Sequence, residues 1–120
     1  MISIQPVFLE KGCAIGLRVD YPLTTLISLT VPGVGYIMCG LLHTQALDEL
    51  HPERKIIAAR ITGVNNIEDL LASQVQEATQ KAVAIGIKQG MTGREVLNLM
   101  FEYGQDMNLS KKRGDSNDWF

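Results

Sequence analysis

The chain has 120 residues, 46% apolar and 20% charged, with a formal net charge of -2. This is the composition of one globular domain that buries its own core, and it excludes the low-hydrophobicity, high-charge regime of disordered chains. With no excess of cations to release counterions from phosphates, it also excludes a nucleic-acid binder; the one basic cluster, Lys111-Lys112-Arg113, lies among Asp106, Asp115 and Asp118.

The first forty residues read as strands. Residues 2–9 are rich in β-formers, and Glu10-Lys11-Gly12 turns the chain into a second strand over 13–20. There Cys13, Ile15, Leu17 and Val19 fall on one face, and Ala14, Gly16, Arg18 and Asp20 on the other. Tyr21-Pro22-Leu23 and Pro32-Gly33 punctuate two further strands, over 24–31 and 34–39. Residues 21–47 contain no acidic residue, Lys or Arg. Pro22, Pro32, Gly33 and Gly35 break that stretch into strand-length pieces, so it predicts buried sheet and no membrane span.

Thr44 is the expected cap of a short helix over 45–50, with His51 complementing its dipole and Pro52 following its end. Residues 55–62, KIIAARIT, predict a fifth strand, apolar on both faces except for Arg60. Asn66 caps a helix beginning IEDLL. A second helical run is expected from Ser73, with Val75, Ala78, Thr79, Ala82 and Val83 as its stripe and Gly86 as its stop. Thr92 and Glu95 form a capping box ahead of a helix that buries Val96, Leu97, Met100 and Phe101. Residues 1–103 thus form a single α+β domain, an N-terminal antiparallel β-sheet of about five strands with C-terminal helices packed on one face. Residues 104–120 form a polar tail ending in Trp119-Phe120, which docks on a neighbouring subunit or stays mobile.

Candidate chemistry centres on three residues. Cys39 ends the fourth strand. It is either core filler, as free cysteines commonly are, or a nucleophile activated by a helix N-terminus and by His43 as base. Arg60 is either the buried half of an ion pair with Asp20, Asp69 or Glu95, or an anion-binding group beside the Gly63-Val64 loop. Arg18 and Asp20 read as a self-paired strand face. Cys13 reads as structural, and the spacing of the two cysteines suits neither a disulfide framework nor a metal knuckle. No dinucleotide, phosphate-loop, nucleophile-elbow or zinc-protease motif occurs, and no cofactor or metal is expected. With no signal peptide visible, the expected compartment is the cytoplasm.

GYIMCG at 35–40, AARITGVNNIEDLL at 58–71 and AIGIKQGMTGREVL at 84–97 resemble, in order and spacing, the YunC-like family of uncharacterised bacterial and archaeal proteins, a domain of unknown function. The resemblance runs over residues 3–101 and carries Tyr36, Cys39, Gly40, Arg60, Gly63, Val64, Gly86, Gly90, Gly93, Arg94 and Glu95. It implies an α+β domain whose N-terminal β region mediates tetramerisation, and it supplies no activity. Where the family pattern has an acidic residue after GYIMCG-x-L, this chain has His43, and the extension from Gly104 goes past the family's shorter pattern. The expectation is a cytoplasmic homo-oligomer, a tetramer, that assembles or binds a small anionic ligand through Arg60, Gly63 and Val64. The alternative is an enzyme with Cys39 as nucleophile and His43 as base, acting on a small anionic substrate.

Overall fold

The computed structural model describes residues 1–40, 43–50 and 52–113, with side chains as far as residue 107. The reading of His51 and that of Trp119-Phe120 lie outside the described residues. Four N-terminal strands form an antiparallel meander: β1 (Ile2–Phe8), β2 (Cys13–Tyr21), β3 (Thr24–Val31) and β4 (Gly35–Met38). Short turns set their register. Leu9 N–H bonds to the Gly12 carbonyl at 2.8 Å, and Val34 N–H to the Val31 carbonyl at 3.0 Å. In the second turn Pro32 and Gly33 hold the central positions with Gly33 at φ 78°, the pairing a turn of this hand demands.

The chain then passes through α1 (Thr44–Leu50) and a 3-10 turn (Pro52–Arg54), a crossover that brings β5 (Ile57–Arg60) alongside β4 in parallel. The resulting sheet is mixed and six-stranded, in the order β1-β2-β3-β4-β5-β6, one short strand more than the sequence predicts. Helices α2 (Ile67–Ala72), α3 (Gln80–Ala84) and α4 (Gly93–Arg113) complete the α+β fold.

The extra strand corrects one expectation. The run from Ser73 is not helical. Gln74 bridges to Thr92, and Glu77–Ala78 forms β6, antiparallel to β5. Helix begins only at Gln80, where the Thr79 hydroxyl accepts from Ala82 N–H. The physical reason is the open edge of β5, whose Arg60 and Ala58 carbonyls take the Gln76 and Thr79 N–H groups at 3.0 Å each. Satisfying those groups outweighs a local helical stripe. The stripe is itself incomplete, since Val83 is 59% exposed. A second correction concerns α1, where the cap is His43 and not Thr44. The His43 carbonyl and ring Nδ1 accept from Leu47 and Ala46 N–H.

The other helix signals act as their residues suggest. Asn66 Oδ1 accepts from Asp69 N–H at 2.7 Å. Thr92 and Glu95 exchange side-chain-to-backbone bonds at 2.9 and 3.2 Å. At the end of α3, Ile87 N–H reaches back to the Ala82 carbonyl past Gly86, and the Ile87 side chain is fully buried. Residues 104–113, read from sequence as polar tail, continue α4.

One face of the sheet carries the core. Ala14, Ile27, Leu29, Val31, Ile37, Ala59 and Ile61 pack against Leu70, Val96, Leu97 and Met100 of α2 and α4. Gly16 permits the close approach of α2, because a Cβ there would stand 2.7 Å from Ile67 Cδ1. Truncating a fully buried member such as Leu97 to Ala would cost about 2–5 kcal/mol.

Candidate functional site

The alternation of the strands decides which predicted residues meet. Met38 pairs with Arg60 across β4 and β5, so these two side chains share a face. Cys39, one residue on, still pairs through its N–H with the Ile27 carbonyl and turns to the opposite, helix-covered face. Cys39 and Arg60 are therefore separated by the thickness of the sheet.

Cys39 is only 6% exposed, with Sγ aimed at the Thr25 carbonyl at 3.9 Å, the arrangement of a small core residue with a weak S–H donor. His43 is exposed and spends Nδ1 on capping α1. Arg60 is engaged on two sides. Its Nη1 lies 3.5 Å from Glu77 Oε1, and its Nε donates to the Gly40 carbonyl at 3.3 Å. Glu77 in turn accepts from the buried Thr44 hydroxyl at 3.1 Å. One arginine thus ties the end of β4, β5, β6 and α1 together. Gly63 is exposed at φ 76°, and Val64 is half-buried against the core.

The sequence reading placed Arg60 opposite Asp20, Asp69 or Glu95 and missed Glu77. The signal was hidden by reading 73–83 as a helix, since the pairing of Arg60 with Glu77 exists only if Glu77 lies on a strand. Of the three acids first considered, Asp20 pairs with Arg18 at 3.2 Å, Asp69 Oδ2 accepts from Asn65 N–H just before the α2 cap, and Glu95 accepts from Thr92 N–H.

The opposite face of β1–β3 is built differently from the core. Ile2 pairs with Val19, Ile4 with Leu17, Pro6 with Ile15 and Phe8 with Cys13 across β1 and β2, and Leu26, Ser28 and Thr30 continue the face on β3. Not one of these side chains is charged. Ile2, Ile4 and Phe8 are 68, 69 and 78% exposed, and Ile15 is 43% exposed. Tyr36 lies half-buried on this face, and that burial pushes its hydroxyl above the usual tyrosine range. Chemically the face can associate with another apolar surface; its titratable groups among the described residues include the exposed Cys13 thiol and the half-buried Tyr36 hydroxyl. No helix of the described residues is long and apolar enough to cross a membrane.

With this geometry established, comparison with known proteins is informative. The profile described as "Domain of unknown function (DUF1805)" matches residues 38–100, more than half of the chain. The chain belongs to the DUF1805 family. It is similar to the uncharacterised protein YunC of Bacillus subtilis (strain 168), with 36% identity over 102 residues, 85% of this chain and the whole of that relative. Its fold is similar to the crystal structure of a protein of unknown function from Thermoplasma acidophilum. That structure superposes with a TM-score of 0.74 at 27% identity, over 83% of this chain and 93% of the other. DUF1805 membership agrees with the resemblance read from GYIMCG and the two later stretches.

Proposed function

We propose that this DUF1805 protein is a self-assembling module whose working form is a homotetramer joined through its N-terminal strands. The observation that carries the reading is the uncovered, uncharged face of β1–β3, headed by Ile2, Ile4, Phe8 and Ile15. An apolar patch of that extent is a standard mark of an interaction surface. A second copy is the occupant that fits, because a face without charge favours its own kind over a nucleic acid or a charged peptide.

The stoichiometry follows from there being two open surfaces and not one. β1 is also an edge strand, seven residues long, with its outer backbone groups unpaired by the sheet. Face-to-face and edge-to-edge contacts lie roughly at right angles. Four copies form the smallest closed assembly that uses both through twofold axes. The two free thiols, Cys13 and Cys39, stand on opposite faces of one sheet and suit a reducing, cytoplasmic setting. Sedimentation velocity of the full chain tests the reading. The expected mass is four times the 13.2 kDa protomer at micromolar concentration, and a single stable 13.2 kDa species would overturn it.

A further inference from the structure

A cavity of about 630 Å³ opens beside the β3–β4 turn. Its walls come from the β3–β4 turn, the 52–55 connection, α3 and the middle of α4. Three cations line it, Arg54, Lys55 and Lys81, and among the described residues no carboxylate does, although the whole chain has a net charge of -2. Among the described residues none of the three has an ion-pair partner. The floor is apolar, formed by Val34, Ile57 and Phe101, while Tyr103 and Gln105 supply hydrogen-bonding groups at the side.

Arg54, Lys55 and Gln105 stand exposed at its rim, and three details shape the cleft between them. Gly104 lets α4 approach the turn closely, since a Cβ there would stand 2.7 Å from Val34 Cγ2. Lys81 Nζ is held over the Tyr103 ring at 5.6 Å from its centroid, which keeps an ammonium at the mouth. Lys55 sits at φ 50°, a left-handed backbone that few non-glycine residues adopt, and a glycine would relieve it. The volume falls within the range of small-molecule sites, and an apolar floor with a few convergent polar groups is their usual construction.

We infer that this cavity binds a small organic phosphate monoester with a flat apolar body, the body on the Val34 and Phe101 floor and the phosphate among Arg54, Lys55 and Lys81. Three cations suit a dianion better than a single carboxylate, and the planar guanidinium of Arg54 matches phosphate oxygens two at a time. The site goes beyond the assembly reading and shares none of the open-face residues, so either inference can fail alone.

Phenyl phosphate is the test probe, titrated into the full chain and followed by calorimetry and by backbone amide shifts. The expected result is saturable binding with Kd below about 1 mM, and with phenol and inorganic phosphate at least about tenfold weaker, a difference of roughly 1.4 kcal/mol. The shifts should cluster at residues 31–34, 54–57 and 101–107. The Arg54→Gln/Lys81→Gln double variant should lose at least tenfold in affinity, as should Gln105→Glu, which places a carboxylate on the wall without removing any native charge. Gln105→Glu decides the matter if the double variant does not fold. Absence of saturation at about 10 mM phenyl phosphate, shifts confined to the open sheet face, or variants that bind as the parent does would each overturn the site. Benzoate binding as tightly as phenyl phosphate would overturn the phosphate assignment.

Discussion

Replacing Ile4 by Lys should break the proposed tetramer without unfolding the protomer. Ile4 is 69% exposed on the outer face of the edge strand, so its substitution removes little that the isolated protomer buries, and lysine is a residue that edge strands tolerate. Fully burying an isoleucine is worth about 1.5–3 kcal/mol, and roughly two thirds of that remains to be gained here, so each copy contributes about 1–2 kcal/mol on association. Both copies contribute across a twofold contact, giving about 2–4 kcal/mol per interface, and the desolvation of two ammonium groups adds to the loss. The dissociation constant should therefore rise by a factor of about 10² or more.

Sedimentation velocity across a concentration series reads this directly, with far-UV circular dichroism confirming the fold. Ser3→Lys is the matched control, being exposed, on the same strand, and directed to the opposite face. The expected pattern is a parent tetramer, a Ser3→Lys tetramer and an Ile4→Lys species of protomer or dimer size. If Ile4→Lys sediments with the parent, the open face is not the contact and the physical argument for it is wrong.

Three further outcomes are expected. Alkylation with a mild thiol reagent under native conditions should spare Cys39, which is buried, and modify the exposed Cys13 faster in Ile4→Lys than in the parent, where assembly covers it; rapid native labelling of Cys39 would instead support a reactive thiol. Arg60→Ala should lower stability by about 1–2 kcal/mol, through loss of the Gly40 bond and the partly exposed Glu77 pair, and a denaturant midpoint equal to the parent's would show that the arginine anchors nothing. Stability should fall in acid. The Asn98 amide, then Glu10's own backbone N–H and to a lesser extent Arg94, hold Glu10 below the usual 4.5, and the Thr92 backbone and hydroxyl do the same for Glu95. A carboxylate lowered on folding contributes fully above its unfolded value and loses that contribution as pH falls through the folded one. Unfolding titrations should thus show a decline beginning near pH 5 that is smaller in Glu95→Gln; an identical decline in the variant would rule out the Thr92–Glu95 pair as a source.

The parts of this fold legible in sequence were those whose signals are local. Two-residue alternation in residues 13–20, Pro32-Gly33, the Asn66 cap and the Thr92–Glu95 box each act within a few residues, and each stands in the structure where its chemistry puts it. What escaped was set at a distance. The segment from Ser73 has acceptable helical periodicity, yet β5 offers it unpaired carbonyls nearly twenty residues away in sequence, and those win. That one long-range term also concealed the partner of Arg60. The cationic cavity was invisible for the same reason. Arg54-Lys55, Lys81 and Tyr103 lie on three separate segments, and only their convergence makes a charge excess in a chain of net negative charge.

In the proposed assembly the Arg60–Glu77 pair also bears on how copies would fit together. Across the open face, from β1 to β4, a second copy meets only uncharged side chains, and an apolar contact alone is non-directional and free to slide. At β5 and β6 the same face ends in a guanidinium and a carboxylate, each partly exposed. Sliding over that pair would strip water from two ions already held to each other, at a cost of several kcal/mol per ion that an added apolar strip could not offset. The charged strands therefore fence the apolar ones. In the proposed assembly a partner would be driven toward β1, where the edge backbone supplies the direction that the apolar face lacks. On this account the charged pair would serve the proposed assembly without touching the neighbouring copy, and removing both ions together, as in Arg60→Ala/Glu77→Ala, should loosen the register of that assembly, whereas Arg60→Ala alone leaves the Glu77 carboxylate in place.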